Sequence, residues 1–151
     1  MENKIINSSL IFLDEDLGTK EDVIQRIASK AQEMGYLSDA EKFYESVMKR
    51  EAEVPTAIGY EVAIPHGKTD VVNSPFVAFF RSKGVFKWTP GYDDDVRLIF
   101  QIGVPETGTE KLHLKFISQV SKKLLDESFR EKLALLKDNA SVFELLNSID
   151  L

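Results

Sequence analysis

The sequence predicts an α/β fold in which helices flank one mixed sheet. Three observations carry this. Apolar residues recur at helical spacing toward both ends of the chain. Short apolar runs rich in β-branched and aromatic residues fill the middle. No repeat, low-complexity tract or Pro/Gly/Ser linker divides the 151 residues, a length that suits one ordinary domain. Helix-rich ends around a strand-rich middle argue for a mixed sheet rather than a regular βαβ repeat.

The elements follow in order. Ser9 to Asp14 reads as a short buried strand. Thr19 with Asp22 forms a capping box that opens a helix to about Met34, with Val23, Ile27 and Ala31 on one face and Gly35 as its terminator. Ser38 with Glu41 is a second capping box, for a helix carrying Phe43, Val47 and Met48 toward the core. Pro55 and Gly59 punctuate the next segment. Val62 to Ile64 is a short strand running into Pro65 and His66. Phe76 to Ser82 is a strong strand and Val85 to Trp88 a weaker one. Val96 to Val104 is almost continuously apolar, as a central strand covered on both faces should be. After Pro105, Thr109 is expected to cap a helix from Glu110 to Leu125 with Leu112, Phe116, Val120 and Leu124 as its core stripe. A short helix at Ser128 to Leu136 follows, and Ser141 with Glu144 caps a last one.

Composition narrows the function. The chain is 43% hydrophobic and 29% charged, enough for one sizeable core. Its net charge of -6 does not suit nucleic-acid binding. The acidic excess serves solubility or a partner with a basic face. Without cysteine there is no disulfide, no thiolate metal site and no cysteine nucleophile. The opening MENKIINSSLIFLDED lacks the apolar run of a signal peptide, and no stretch nears the ~20 apolar residues that span a bilayer. The expected location is the cytoplasm, with no direct membrane insertion.

Few residues can carry chemistry. His66 follows a strand and Pro65, which fixes its own φ and pushes Ile64 into an extended course. Gly67 leaves room for close approach by a ligand or a partner's backbone. These flanks present an imidazole, although an ordinary loop histidine has the same local look. His113, the only other histidine, lies at the start of a helix beside the core stripe. It is either a satisfied boundary histidine or a neutral imidazole beside an anion held by free helix N–H groups. Arg50 ends the second helix. It is either a partner for the helix end or a neighbouring Glu, or a clamp whose guanidinium forks onto phosphate oxygens. Gly67-Lys68-Thr69 is no P-loop, because Val62 stands where its first glycine belongs. Asp93-Asp94-Asp95 lacks the glycine of a calcium loop and reads as a solvated turn. Two histidines without a local carboxylate pattern make a poor metal site.

Together, Arg50-Glu51, Pro55-Thr56-Ala57-Ile58-Gly59 and Val62-Ala63-Ile64-Pro65-His66-Gly67-Lys68 resemble the signature of enzyme IIA domains of the fructose–mannitol type. Trp88, Val96–Val104 with Pro105-Glu106, and Lys111-Leu112-His113-Leu114 extend the likeness over nearly the whole chain, taken as one IIA domain over 1–151. The resemblance implies a mixed sheet of about five strands. It implies that His66 accepts a phosphoryl group from a phosphohistidine on HPr and donates it to a cysteine of a IIB component during sugar uptake. His113 and Arg50 match the accessory active-site positions, and no cofactor, metal or nucleotide is needed. Tyr60 departs from the usual Glu or Asn after Gly59, with Glu61 pointing elsewhere if the segment is extended. Ala57 replaces a glycine and makes a positive φ unexpected there. A regulatory module of the nitrogen-related branch, in which His66 phosphorylation selects protein partners, is the alternative. A histidine-dependent hydrolase is a third reading, without a visible base–nucleophile pair.

Overall fold

Helices begin where a side chain can take a free N–H. The computed structural model describes residues 5–108 and 111–151. Helix α1 (Lys20–Glu33) is capped as expected, Thr19 Oγ1 accepting from the Asp22 N–H at 3.1 Å. It ends in a Schellman arrangement: Gly35, at φ 88°, donates to Gln32 O, and Tyr36 donates to Ala31 O. For α2 (Ala40–Glu53) the expected Ser38 cap gives way to Asp39, which accepts from Lys42 N–H at 3.1 Å. Ser38 is instead tied to the Val71 carbonyl. Asp138, not Ser141, likewise caps α5 (Asn139–Leu146). In both places a carboxylate, favoured by the helix dipole, displaces a hydroxyl. Asp126 caps α4 (Glu127–Leu135). Described helix α3 (Leu112–Lys123) starts from Lys111, left-handed at φ 57° and making no side-chain cap. Thr109 and Glu110 lie outside the described residues.

Among the described residues six strands make one sheet: β1 (Ile11–Glu15), β2 (Ala57–Gly59), β3 (Val62–Ala63), β4 (His66–Lys68), β5 (Phe76–Lys87) and β6 (Asp95–Val104). The order is β1-β5-β6-β3-β2, with β4 also paired to β6. The sheet is mixed, since β5 with β6 and β2 with β3 are antiparallel, while β1 joins β5, and β3 and β4 join β6, in parallel. The nearly continuous apolar segment is indeed central. The expected strands at Phe76 and Val85 are one strand, with a register irregularity between Arg81 and Phe86. The Lys83-Gly84 break is thus an irregularity within one strand, where β5 takes a longer course than β6.

The count of six rather than five comes from Pro65. Ala63 pairs with Ile99 and His66 with Ile102, so β3 and β4 keep one register on β6. Proline has no N–H to continue the ladder and splits one line into two pieces. His66 therefore opens a strand instead of closing one. Nor is Glu61 extended: Tyr60 and Glu61 both sit left-handed, at φ 56° and 61°, as a tight two-residue hairpin requires. Ala57 keeps an ordinary φ, as its side chain demands.

Alternation along the strands supplies both layers of core. Phe12, Phe80 and Ile99 face α1 and α2, whereas Val77, Phe79, Phe100 and Ile102 face α3, α4 and α5. Gly67 pairs with Gly103. A Cβ on Gly67 would lie 3.0 Å from Val47 Cγ2, so the missing side chain is what admits helix α2. A Cβ on Gly103 would stand 2.7 Å from Cζ of fully buried Phe76. Gly103→Ala is expected to cost about 1–3 kcal/mol, since the ring has nowhere to go. A urea midpoint equal to that of the unsubstituted chain would contradict this.

Two long-range ties complete the frame. Buried Arg81 donates to both carboxylate oxygens of Asp14 at 2.9 Å and to the Leu133 and Leu136 carbonyls ending α4. Asn139 Nδ2 donates to the Ile11 carbonyl on β1 at 3.1 Å and to Ser8 O at 3.2 Å.

Candidate active site

His66 enters its position through the Ile64-Pro65 strap. The Ile64 N–H donates to Thr56 O at 3.1 Å, and the Ile102 N–H donates to Pro65 O at 2.9 Å. The His66 Nδ1 atom lies 3.1 Å from the Ile64 carbonyl. A carbonyl only accepts, so Nδ1 carries the proton and Nε2 of the neutral ring holds the lone pair.

Helix α2 brings Arg50. Phe43, Val47 and Arg50 share one helix face, and the first two rest on Gly67. Arg50 consequently arrives beside His66. It donates to Val54 O at 2.8 Å, serving the helix end, and forms no ion pair among the described residues. His113, in the first turn of α3, faces His66 with ring centroids 6.0 Å apart and planes tilted by 30°. Its Nδ1 is buried and meets no partner among the described residues. All three residues singled out in the sequence line one pocket of about 240 Å³. Ser46, Lys49 and Glu53 of α2, with Gly67 and Lys68 of β4, complete its wall. The spacing of Ser46, Lys49 and Glu53 around Arg50 was the available signal for the α2 contributors.

Glu51 is the residue whose part the sequence did not disclose. It is 3% exposed. It accepts from Trp88 Nε1–H at 2.8 Å, from the Thr56 N–H at 3.3 Å and from the Thr56 hydroxyl, with Lys20 Nζ 3.7 Å away. Thr56 in turn holds Ile64. A continuous bonded path thus runs from the residue after Arg50 to the strap that orients His66. Its signal was a carboxylate in the buried stripe of Phe43 and Val47.

Burial holds the His66 imidazole below its ordinary 6.5; Arg50 adds to this, while the Ile64 carbonyl and Glu51 oppose it. Burial also lowers His113, helped by the charge His66 carries when protonated and by that of Lys68. Both rings are therefore neutral at pH 7. The direction has a consequence for stability. The unfolded chain binds these protons more readily, so the contribution is complete above the unfolded value and is lost as pH falls below about 6.5 toward the folded values. Imidazole resonances of His66 should titrate with a midpoint below 6.5; a midpoint above it would contradict the burial argument.

Among the described residues no group of three or more His, Cys, Asp or Glu could hold a metal ion, and no helix is long and apolar enough to cross a membrane.

A mixed sheet between helical layers, with two neutral imidazoles and a guanidinium in one pocket, defines an α/β protein with a histidine-centred polar site. The chain belongs to the family described as phosphoenolpyruvate-dependent sugar phosphotransferase system, EIIA 2, whose model matches residues 4–149. It is 35% identical over 140 residues to the fructose-specific EIIA component of Haloferax volcanii, covering 93% of this chain and 90% of that one. The nitrogen regulatory protein IIA-Ntr from Neisseria meningitidis superimposes with a TM-score of 0.84 at 29% identity, covering 95% of this chain and 97% of that one. Enzyme IIAMTL from Escherichia coli, in its complex with phosphorylated enzyme IIBMTL, gives 0.80 at 27% identity, with 94% and 96% covered.

Proposed function

We propose that residues 1–151 act as one IIA unit, in the cytoplasm, carrying a phosphoryl group on His66 Nε2 from HPr to the cysteine of a IIB component during sugar uptake. The observation that carries this is the Ile64 carbonyl bond. It commits Nδ1 to the proton and leaves Nε2 as the nucleophile in the pocket.

In the first step the Nε2 lone pair forms a bond to phosphorus while the N–P bond of the donor phosphohistidine breaks. The electron pair returns to the donor imidazole. In the second, a IIB thiolate attacks phosphorus and the His66 N–P bond breaks in the same sense. Such transfers pass through loose transition states, so positioning and charge compensation do the catalysis. Arg50 supplies a forked donor to the equatorial oxygens. The uncapped first turn of α3 adds N–H groups and the positive end of its dipole. His113 tunes transfer without carrying phosphate: the phosphoryl dianion on His66 raises its proton affinity and makes it a better donor. His113→Gln should fold normally, accept phosphate on His66 and pass it on more slowly. Transfer in both steps at the unsubstituted rate would remove His113 from the mechanism.

The fit to IIA-Ntr favours a second reading, in which the phosphorylation state of His66 selects regulatory partners. One reconstitution separates the two. The chain is charged with phosphoenolpyruvate, enzyme I and HPr, then offered a panel of IIB components. The carrier reading expects one of them to drain the phosphate. A chain that charges but retains its phosphate against every IIB supports the regulatory reading, and a chain that never charges overturns both.

A further inference from the structure

Strand β6 is buried without a break from Leu98 to Val104, and one polar side chain lies within that run. Leu98, Phe100, Ile102 and Val104 pack toward α3, α4 and α5. On the opposite face Ile99 joins the core with α1 and α2. Two residues on, Gln101 is 0% exposed. Its Nε2 donates to Pro65 O at 3.1 Å and to Ile102 O at 3.2 Å. Its Oε1 is buried and meets no donor among the described residues. The amide cannot turn round, because that would aim Oε1 at two carbonyls. An apolar residue of similar length would fill this place without an unpartnered oxygen.

The location gives the amide its use. Ala63 pairs with Ile99 and His66 with Ile102, so Pro65 falls opposite Gln101 on the neighbouring strand. This is the point where the proline interrupts the ladder. The Pro65 carbonyl belongs to the peptide unit that leads into His66. Two donors from β6, the Ile102 N–H and the Gln101 amide, fix its direction. With that unit fixed, the His66 ring reaches the Ile64 carbonyl through Nδ1.

We propose that Gln101 is a positioning residue for His66, its amide locking the Pro65–His66 peptide so that Nε2 stays the free nitrogen facing the pocket. This rests on the carrier reading above for its effect on transfer, but not for its effect on the ring. Gln101 touches no phosphoryl group and acts only through the strap.

The test is Gln101→Met, with Gln101→Leu as a second variant should the first not fold. Both remove the amide and keep an apolar filling. The melting temperature should stay level or rise, because no buried oxygen is left unpartnered. Phosphoryl uptake from phospho-HPr should slow by roughly tenfold, as misplacement of a reacting group does. Nitrogen NMR of the unphosphorylated imidazole should show His66 losing its single Nδ1–H tautomer and its titration midpoint moving. An unchanged His66 spectrum overturns the proposal whatever the stability, as does uptake at the unsubstituted rate with the tautomer intact. If the unsubstituted chain takes no phosphate at all, the carrier reading fails. The imidazole spectrum of the variants then still decides the positioning role.

Discussion

His66→Gln is expected to take up no phosphoryl group from phospho-HPr. Glutamine keeps similar bulk in a half-buried position and can still donate to the Ile64 carbonyl. It has no basic ring nitrogen, so the lone pair that would meet phosphorus is gone. Arg50 and His113 remain at the pocket, yet charge compensation without a nucleophile transfers nothing. His113 does not substitute for it. Its ring centre is 6.0 Å from that of His66, too far to occupy the same point of attack. The measurement is intact mass after incubation with phosphoenolpyruvate, enzyme I and HPr, beside a circular-dichroism check of the fold. The unsubstituted chain should carry an acid-labile, base-stable adduct and the variant none. Labelling of the variant at the normal rate would sink the assignment of His66.

The second large effect lies outside the pocket. Glu51→Ala should cost about 3–5 kcal/mol, because it strips one buried carboxylate from several buried donors. Trp88 Nε1–H and the Thr56 N–H and hydroxyl would lose their acceptor, and the Lys20 ammonium would lose its counter-charge while keeping Thr89 Oγ1 as acceptor. Against a domain stability of roughly 5–15 kcal/mol this is a large fraction. The single Trp88 reports it directly, its emission followed through urea unfolding. A change below about 1 kcal/mol would mean that water replaces the carboxylate freely. Transfer should weaken too, since Thr56 holds Ile64 and Ile64 orients His66.

The layers were legible in the sequence, as were the three residues that meet at one pocket, and the reasons are local. Periodicity marked α1, and the apolar run from Val96 marked the central strand. Proline and glycine around His66 marked a special backbone. What escaped depended on competition or distance. Asp39 outcompeted Ser38 for a helix start, a choice between neighbours that pattern alone does not rank. Gly67 looked like space for a ligand, and only the packing of Phe43 and Val47 shows what fills it. Glu51 acquires its meaning from Trp88, 37 residues away in the chain. Gln101 acquires its meaning from Pro65, 36 residues away, across a strand junction. Partners of that kind are brought together by topology and leave no spacing to read.

The tie from Asn139 to β1 bears on how this molecule meets others. An open sheet has two margins where unpaired backbone groups invite a foreign strand, and such margins seed aggregation. Among the described residues one margin is made of β2, only three residues long and closed by the left-handed Tyr60-Glu61 turn, with the three-residue β4 beside it. The other is β1, where Asn139 occupies the Ile11 carbonyl and Asp14, at φ 59°, breaks the line before Glu15. Neither margin offers a long straight template. A protein of this shape can be crowded among copies of itself without zipping to them, and its encounters are left to its helices and its pocket.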